Sequence, residues 1–163
     1  MSKTVAFTGK RPQNLPWRFN EQDERCLRLK EKMRAEIKNR IEEDYTKFIV
    51  GMALGVDTYA AEAVLELKNS YPSITIEAAI PCDSQNVKWC AADKQRYNEI
   101  LGKCDKITYV GRKYTADCMM KRNYYMVDNA NLLIAVCNEL SGGTGATIRY
   151  AREKDIEVVL IQP

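Results

Sequence analysis

Short apolar runs return at intervals along this chain, and each is followed by a stretch with helical spacing. Residues 4–7, 48–50, 74–80, 106–110, 132–136 and 157–161 read as strands, most of them without the apolar–polar alternation of a half-exposed sheet. The first intervening helix shows Cys26, Leu29, Met33, Ile37, Ile41 and Tyr45 three or four apart, one stripe on a long amphipathic helix. Asn20 is expected to cap it, with Glu21 and Asp23 in the first turn where the helix dipole favours negative charge. Further helices are expected over 57–69, 91–101, 118–129 and 145–154. Strands that alternate with helices pair in parallel through crossovers, and strands apolar on both sides need helices on both faces. The expectation is an α/β fold: a three-layer, Rossmann-like, mostly parallel sheet covered by helices on both faces, forming a single domain over 1–163.

Composition narrows the chemistry. The chain has 163 residues, 45% apolar and 29% charged, with a formal net charge of only +3. That balance does not suggest a protein that coats DNA, although Lys10-Arg11 and Lys121-Arg122 are candidate basic patches. There is no histidine, so Ser-His-Asp and Cys-His devices are excluded, and any acid or base must be Asp, Glu, Lys, Tyr or Cys. The six cysteines lack any Cys-x-x-Cys pair, which argues against structural zinc, and no metal site is expected. They read as reduced, mostly buried thiols. No secretory leader and no membrane-length apolar run is visible, so a cytoplasmic protein with no membrane partner is expected.

Three of the strands end in glycine-bearing loops, and in an open parallel sheet ligands bind beyond the carboxyl ends of the strands. The loops are Thr8-Gly9-Lys10-Arg11, Gly51-Met52-Ala53-Leu54-Gly55-Val56-Asp57 and Ser141-Gly142-Gly143-Thr144-Gly145. Glycines let backbone N–H groups approach an anion, and a helix that starts there adds its positive end. Thr8, Gly9, Arg11, Gly51, Gly55, Asp57, Gly142, Gly143, Thr144, Gly145 and Thr147 are the candidate ligand- or phosphate-binding residues. Arg11 offers a bidentate fork, and Thr144 and Thr147 offer hydroxyls. Asp57 either caps its helix or faces a sugar hydroxyl, and both roles are compatible. Gln85, Trp89, Arg122 and Asn123 are candidate contacts to a base or sugar. Trp89 either stacks on a base or covers the core, and Arg122 either reaches the ligand edge or lies on a solvated helix face.

At these positions the chain resembles the SLOG superfamily, which joins the Smf/DprA DNA-processing proteins to the LOG phosphoribohydrolases, and within it the YpsA-like branch of small bacterial and phage-associated proteins. The resemblance rests on Thr8-Gly9-x-Arg11-Pro12, on Gly51-x-Ala53-x-Gly55-Val56-Asp57 followed by Ala60-Ala61-Glu62, on Pro81 with Gln85 and Trp89, on Arg122-Asn123 with Asp128, and on Gly142-Gly143-Thr144-Gly145. It implies a Rossmann-like fold, a nucleotide or nucleotide-derived ligand, and self-association into dimers. Segment 51–57 is similar to the loop with which DprA-type proteins hold nucleic acid phosphates. One departure matters. LOG hydrolases carry Pro-Gly-Gly-x-Gly-Thr-x-x-Glu with a catalytic Glu, and here Arg149 holds that place. An arginine does not act as a base at neutral pH, so LOG activity is not carried over.

Three functions follow in order of expectation. The first is binding or sensing of a nucleotide-derived small molecule, of ADP-ribose or dinucleotide type, with no cofactor required. The second is cleavage of a nucleotide N-glycosidic bond, with Asp57 or Asp128 as the first candidates for the carboxylate and Glu62, Asp83 and Glu139 behind them. The third is DprA-like binding of single-stranded nucleic acid.

Overall fold

The computed structural model describes residues 2–163. Its elements alternate as the sequence pattern requires: β1 (Lys3–Gly9), α1 (Glu24–Glu42), β2 (Tyr45–Val50), α2 (Val56–Lys68), β3 (Thr75–Ile80), α3 (Ala91–Lys103), β4 (Lys106–Tyr109), α4 (Cys118–Asp128), β5 (Leu132–Val136), α5 (Gly142–Glu153) and β6 (Glu157–Ile161). The six strands form one sheet in the order β4-β3-β2-β1-β5-β6, and every pairing is parallel. The expected Rossmann-like α/β architecture is therefore the observed one.

Strand pleating divides the core into two layers. Val5, Phe7, Phe48, Val50, Ile76 and Ile134 point to one face, where they meet the apolar stripe of α1 and Val56, Tyr59, Ala60 and Val64 of α2. Ala6, Ile49, Ala79, Leu133 and Ala135 point to the other, against Met126 and Val127 of α4 and Ile148 and Ala151 of α5. The alanines on this second face leave room for α4 and α5 to lie close to the sheet. Among the described residues, no helix is long and apolar enough to cross a membrane. All six cysteines are free; four are buried, Cys104 is half-buried and Cys90 is exposed.

Two expected boundaries move. The cap of α1 is Asp23, whose carboxylate accepts the Arg25 N–H at 2.9 Å, and not Asn20. Asn20 instead accepts the Gln22 N–H within the preceding turn. Tyr45 does not extend the α1 stripe. The helix stops at Glu42, Asp44 takes a left-handed φ of 70°, and Tyr45 opens β2 with its ring still buried. Stripe spacing alone cannot separate a last helical turn from a first strand residue facing the same core.

Segment 12–23 is an ordered flap. Pro12–Asn14 makes a single 3-10 turn, and Leu15 and Trp17 sink into the α1/α2 layer. The Trp17 indole N–H donates to the Tyr59 hydroxyl at 3.1 Å. At the far end Glu21 accepts from Arg96 of α3 at 2.7 and 2.8 Å and from Lys30 at 2.8 Å, while Arg96 also donates to Glu62 of α2. The bond from Arg96 holds the Glu21 carboxyl down at about 2 against its partial burial, with help from Lys30.

A carboxyl with a lowered native pKa stabilises the fold fully above its unfolded value of 4.5, and that contribution fades as pH falls towards 2. Arg96→Ala is expected to lower unfolding free energy by about 2 kcal/mol at neutral pH. In denaturant titrations the gap to the native chain should narrow as pH falls from 4.5 to 2. A gap that does not change with pH would show that Arg96 acts through packing alone.

Candidate functional site

The strand order reverses between β1 and β5. The chain runs outward from β1 through β2 and β3 to β4, then returns to place β5 on the other side of β1. The loops leaving β1 and β5 therefore diverge to opposite faces and leave a crevice at the carboxyl edge. Lys10 bridges it, its Nζ donating to the Ser141 carbonyl at 3.0 Å. The β2 loop completes the crevice wall.

A cavity of about 230 Å³ occupies this position. Thr8, Gly9, Lys10 and Arg11 of the β1 loop, Asp57 beside the β2 loop, and Gly142, Gly143 and Thr144 of the β5 loop all line it. From α4, Arg122 and Asn123 join them. Ala53 of the β2 loop motif also lines the cavity, as do Met119, Met120 and Asn14, for which motif spacing gave no signal. The glycine segment is the first turn of α5, which starts at Gly142 rather than near Gly145, with Ser141 as the cap. The unpaired N–H groups of that first turn are thus at the cavity.

Arg122 forms the floor. It is only 3% exposed, so it is not on a solvated helix face. Its guanidinium donates to the Gly51 carbonyl, to the Ala79 carbonyl at 3.5 Å and to the Asn123 side-chain oxygen at 2.9 Å. Asn123 passes the chain on to the Thr147 hydroxyl at 3.1 Å, and Thr147 donates to the Gly143 carbonyl at 2.7 Å. Thr147 is buried and engaged within α5, so it supports the glycine turn and does not present a hydroxyl to the cavity.

Asp57 is not the cap of α2. Gly55 is, and Asp57 sits in the first turn, where its carboxylate accepts the Ala53 N–H at 3.2 Å. Burial pushes the Asp57 carboxyl above its ordinary range, against the pull of Arg122, the Ala53 N–H and Arg11. Burial likewise pushes Arg122 down, with Asp57 opposing. The β2 loop that holds Asp57 contains Met52 at φ 65°, a left-handed backbone that costs a non-glycine residue about 1 kcal/mol and is held by near-complete burial.

Gly51, Gly55 and Gly145, expected to bind ligand, do not line the cavity, and these three together with Gly9 set the packing around it. A Cβ on Gly9 would lie 2.4 Å from Val56, so Gly9 lets α2 approach β1. Gly55, at φ 87°, faces the Lys10 carbonyl, where a Cβ would stand at 2.7 Å. Gly51 is pinched between Asp57 and Arg122, and Gly145 packs on the Leu140 backbone, where a Cβ would stand at 2.5 Å. Arg149 turns back on its own loop and donates to the Leu140 carbonyl at 3.3 Å.

A second chamber of about 420 Å³ adjoins the first, sharing Arg11, Ala53 and Met119 with it. Gln85 and Trp89 line this chamber and not the glycine cavity. Asp128 belongs to neither. It ends α4 at the amino edge of the sheet, three residues before Asn131 bonds to Thr4 of β1, and it accepts from Tyr150 at 2.7 Å. Glu62 is bound to Arg96, Asp83 pairs with Arg112 at 3.2 Å, and Glu139 is exposed in the β5 loop. Of the candidate carboxylates, Asp57 alone lines the cavity. A larger groove of about 650 Å³ lies between α2 and α3, but it gathers none of the glycine loops, and its Arg96 and Lys68 are already paired with Glu62 and Asp105.

The family model of the YspA SLOG family matches residues 5–161, and the chain belongs to that family. The SPbeta prophage-derived protein YoqJ of Bacillus subtilis (strain 168) is 34% identical over 140 residues, covering 78% of this chain and 82% of its own length. A UPF0398 protein of Bacillus thuringiensis (strain Al Hakam) is 26% identical over 159 residues, covering 96% and 85%. Among solved structures, the fold is shared with DNA processing protein A of Helicobacter pylori, described for its single-stranded DNA binding mode, at a TM-score of 0.64 and 17% identity over 97% of this chain. It is shared with DprA of Streptococcus pneumoniae at a TM-score of 0.68 and 19% identity over 98% of this chain. The chain spans 64% and 50% of those two proteins.

The two kinds of glycine separate by mutation. Gly145→Ala is expected to cost more than about 2 kcal/mol in unfolding free energy, because its Cβ meets fixed backbone. Gly143→Ala meets nothing nearer than the Met120 sulfur at 4.0 Å and should stay within about 0.5 kcal/mol of the native chain. Equal losses in thermal unfolding of both variants would contradict this division.

Proposed function

We propose that this YspA SLOG family member binds a phosphate-bearing, nucleotide-derived small molecule in the cavity between the β1, β2 and β5 loops. The observation that carries the reading is convergence: three loops far apart in sequence bring Lys10 and Arg11, then Ala53 beside Asp57, then Gly142 and Gly143 to one cavity floored by Arg122. In this reading the first-turn N–H groups of α5 take phosphate oxygens, and Lys10 and Arg11 neutralise them. Asp57, an acceptor when ionised, takes a sugar hydroxyl.

A hydrolytic reading has less support. Oxocarbenium chemistry of the usual kind needs two carboxylates flanking the bond, and of the candidates only Asp57 lines the cavity. A nucleic acid reading draws on the Helicobacter pylori relative in fold, which binds single-stranded DNA. The charged groups of the cavity suit a terminal or single phosphate group as well as a strand, so the two are separated by experiment.

Thermal unfolding of the whole chain with ADP, ADP-ribose, NAD and a twenty-nucleotide thymidine oligomer distinguishes them. A small-molecule site gives a midpoint that climbs with nucleotide concentration, by about 2.7 kcal/mol of added stability at one hundred times Kd. Gly143→Asp places a carboxylate at the anion site without a backbone clash and should abolish the shift. If the oligomer alone shifts the midpoint, with a steep salt dependence, the strand reading replaces ours. Release of free base from ADP that disappears in Asp57→Asn would instead establish hydrolysis. Because burial raises the Asp57 carboxyl, its charge costs stability as pH rises through the native value. Asp57→Asn is therefore expected to raise the unfolding midpoint at pH 7, whatever it does to binding.

A further inference from the structure

The glycine cavity, about 230 Å³, is smaller than the roughly 300–1,000 Å³ of ordinary small-molecule sites. It suits a phosphate and part of a sugar. The neighbouring chamber of about 420 Å³ adjoins it, and Arg11, Ala53 and Met119 line both. Resting on the reading above, we infer that this chamber is the subsite for a nucleobase, so that the ligand is a nucleoside phosphate with a single base, stacked on Trp89.

The chamber has the chemistry of a flat ring with a polar edge. Trp89 meets Tyr97 in a T-shaped contact, ring centroids 5.5 Å apart and planes at 85°. Such a contact uses at most one face of the indole, and it fixes the ring's orientation before any ligand arrives. Leu54 and Met119 add apolar wall, and Phe19 stands at the chamber while 59% exposed, an aromatic that the core does not use. Gln13, Gln85, Lys88 and Asp93 supply donors and acceptors of both kinds around that apolar surface. Gln85 donates to the Gly51 carbonyl at 3.3 Å, the same carbonyl that Arg122 uses beneath the phosphate cavity. One carbonyl thus holds the walls of both compartments in register. Arg11 lies at their junction, where the sugar of a nucleotide spanning them would pass.

Isothermal titration of the whole chain with AMP, GMP, CMP, UMP and ribose 5-phosphate tests this. At least one nucleoside monophosphate should bind ten times more tightly than ribose 5-phosphate. Trp89→Ala should bring that nucleotide to the level of the sugar phosphate, about a tenfold loss, since base–aromatic stacking is generally worth that much or more. Trp89→Phe should keep most of the affinity, and ribose 5-phosphate should bind both variants as it binds the native chain. Phe19→Ala, at an exposed position, should weaken the nucleotide several-fold even if Trp89→Ala fails to fold. If ribose 5-phosphate and every nucleotide bind alike, and neither aromatic variant changes them, the base subsite is wrong and the phosphate site stands. If none of the five binds, both fall.

Discussion

A single buried cation organises the carboxyl edge of this sheet. Arg122 enters from α4, yet its guanidinium ends against the Gly51 and Ala79 carbonyls, on the loop after β2 and near the end of β3. No carboxylate takes it up as a direct partner among the described residues; carbonyl dipoles and the nearby Asp57 charge offset its desolvation. Gly51 directly follows β2 and Ala79 is the next-to-last residue of β3, so the arginine ties the ends of two neighbouring strands together. Asn123, next in sequence, extends the tie to Thr147 and the Gly143 carbonyl. The helix that crosses the second face thereby fixes the positions of two of the three glycine loops.

The third loop is fixed by contact distance. Gly9 has no side chain, so Val56 can press on β1, and Gly55 has none, so the α2 start can sit against the Lys10 carbonyl, which accepts the Val56 N–H at 3.3 Å. These glycines set how near the β2 loop comes to the β1 loop, and so set the width of the cavity. Gly142 and Gly143 are different: little crowds them, and their missing side chains leave open the space in front of the α5 amino end. A glycine-rich motif thus mixes two physical roles that look the same in sequence.

This explains what was legible. Strand identity followed from short apolar runs and helix identity from apolar residues three or four apart, and the carboxyl-edge grouping of the three loops followed from parallel topology alone. What sequence could not supply was direction. Arg122 on a polar-looking helix reads equally as a ligand contact and as a solvated residue until α4 is laid on the alanines of the second sheet face. Arg122 and Asp128 form one motif on paper, but six residues of helix separate them by about 9 Å along the axis, and the latter is carried to the opposite edge. Trp17 follows Pro16 in a stretch with loop composition, and nothing in the spacing of that stretch shows that Leu15 and Trp17 fold inward.

The electrostatics of the cavity bear on what it is built to hold. Lys10, Arg11 and Arg122 bring three positive charges to a space that contains one carboxylate, and burial disfavours both the Asp57 anion and the Arg122 cation. A site meant for bare phosphate would gain by losing Asp57, which repels the anion and is costly to keep charged. Its position at the wall, held by the Ala53 N–H, suits a ligand that carries a hydroxyl as well as a phosphate. The hydroxyl then donates to the carboxylate while the phosphate draws its charge from Lys10, Arg11 and the α5 amino end, and each group offsets the desolvation of the other. In the proposed reading the carboxylate would select a sugar phosphate over an inorganic one, and the ligand's hydroxyl would offset the cost of keeping Asp57 charged.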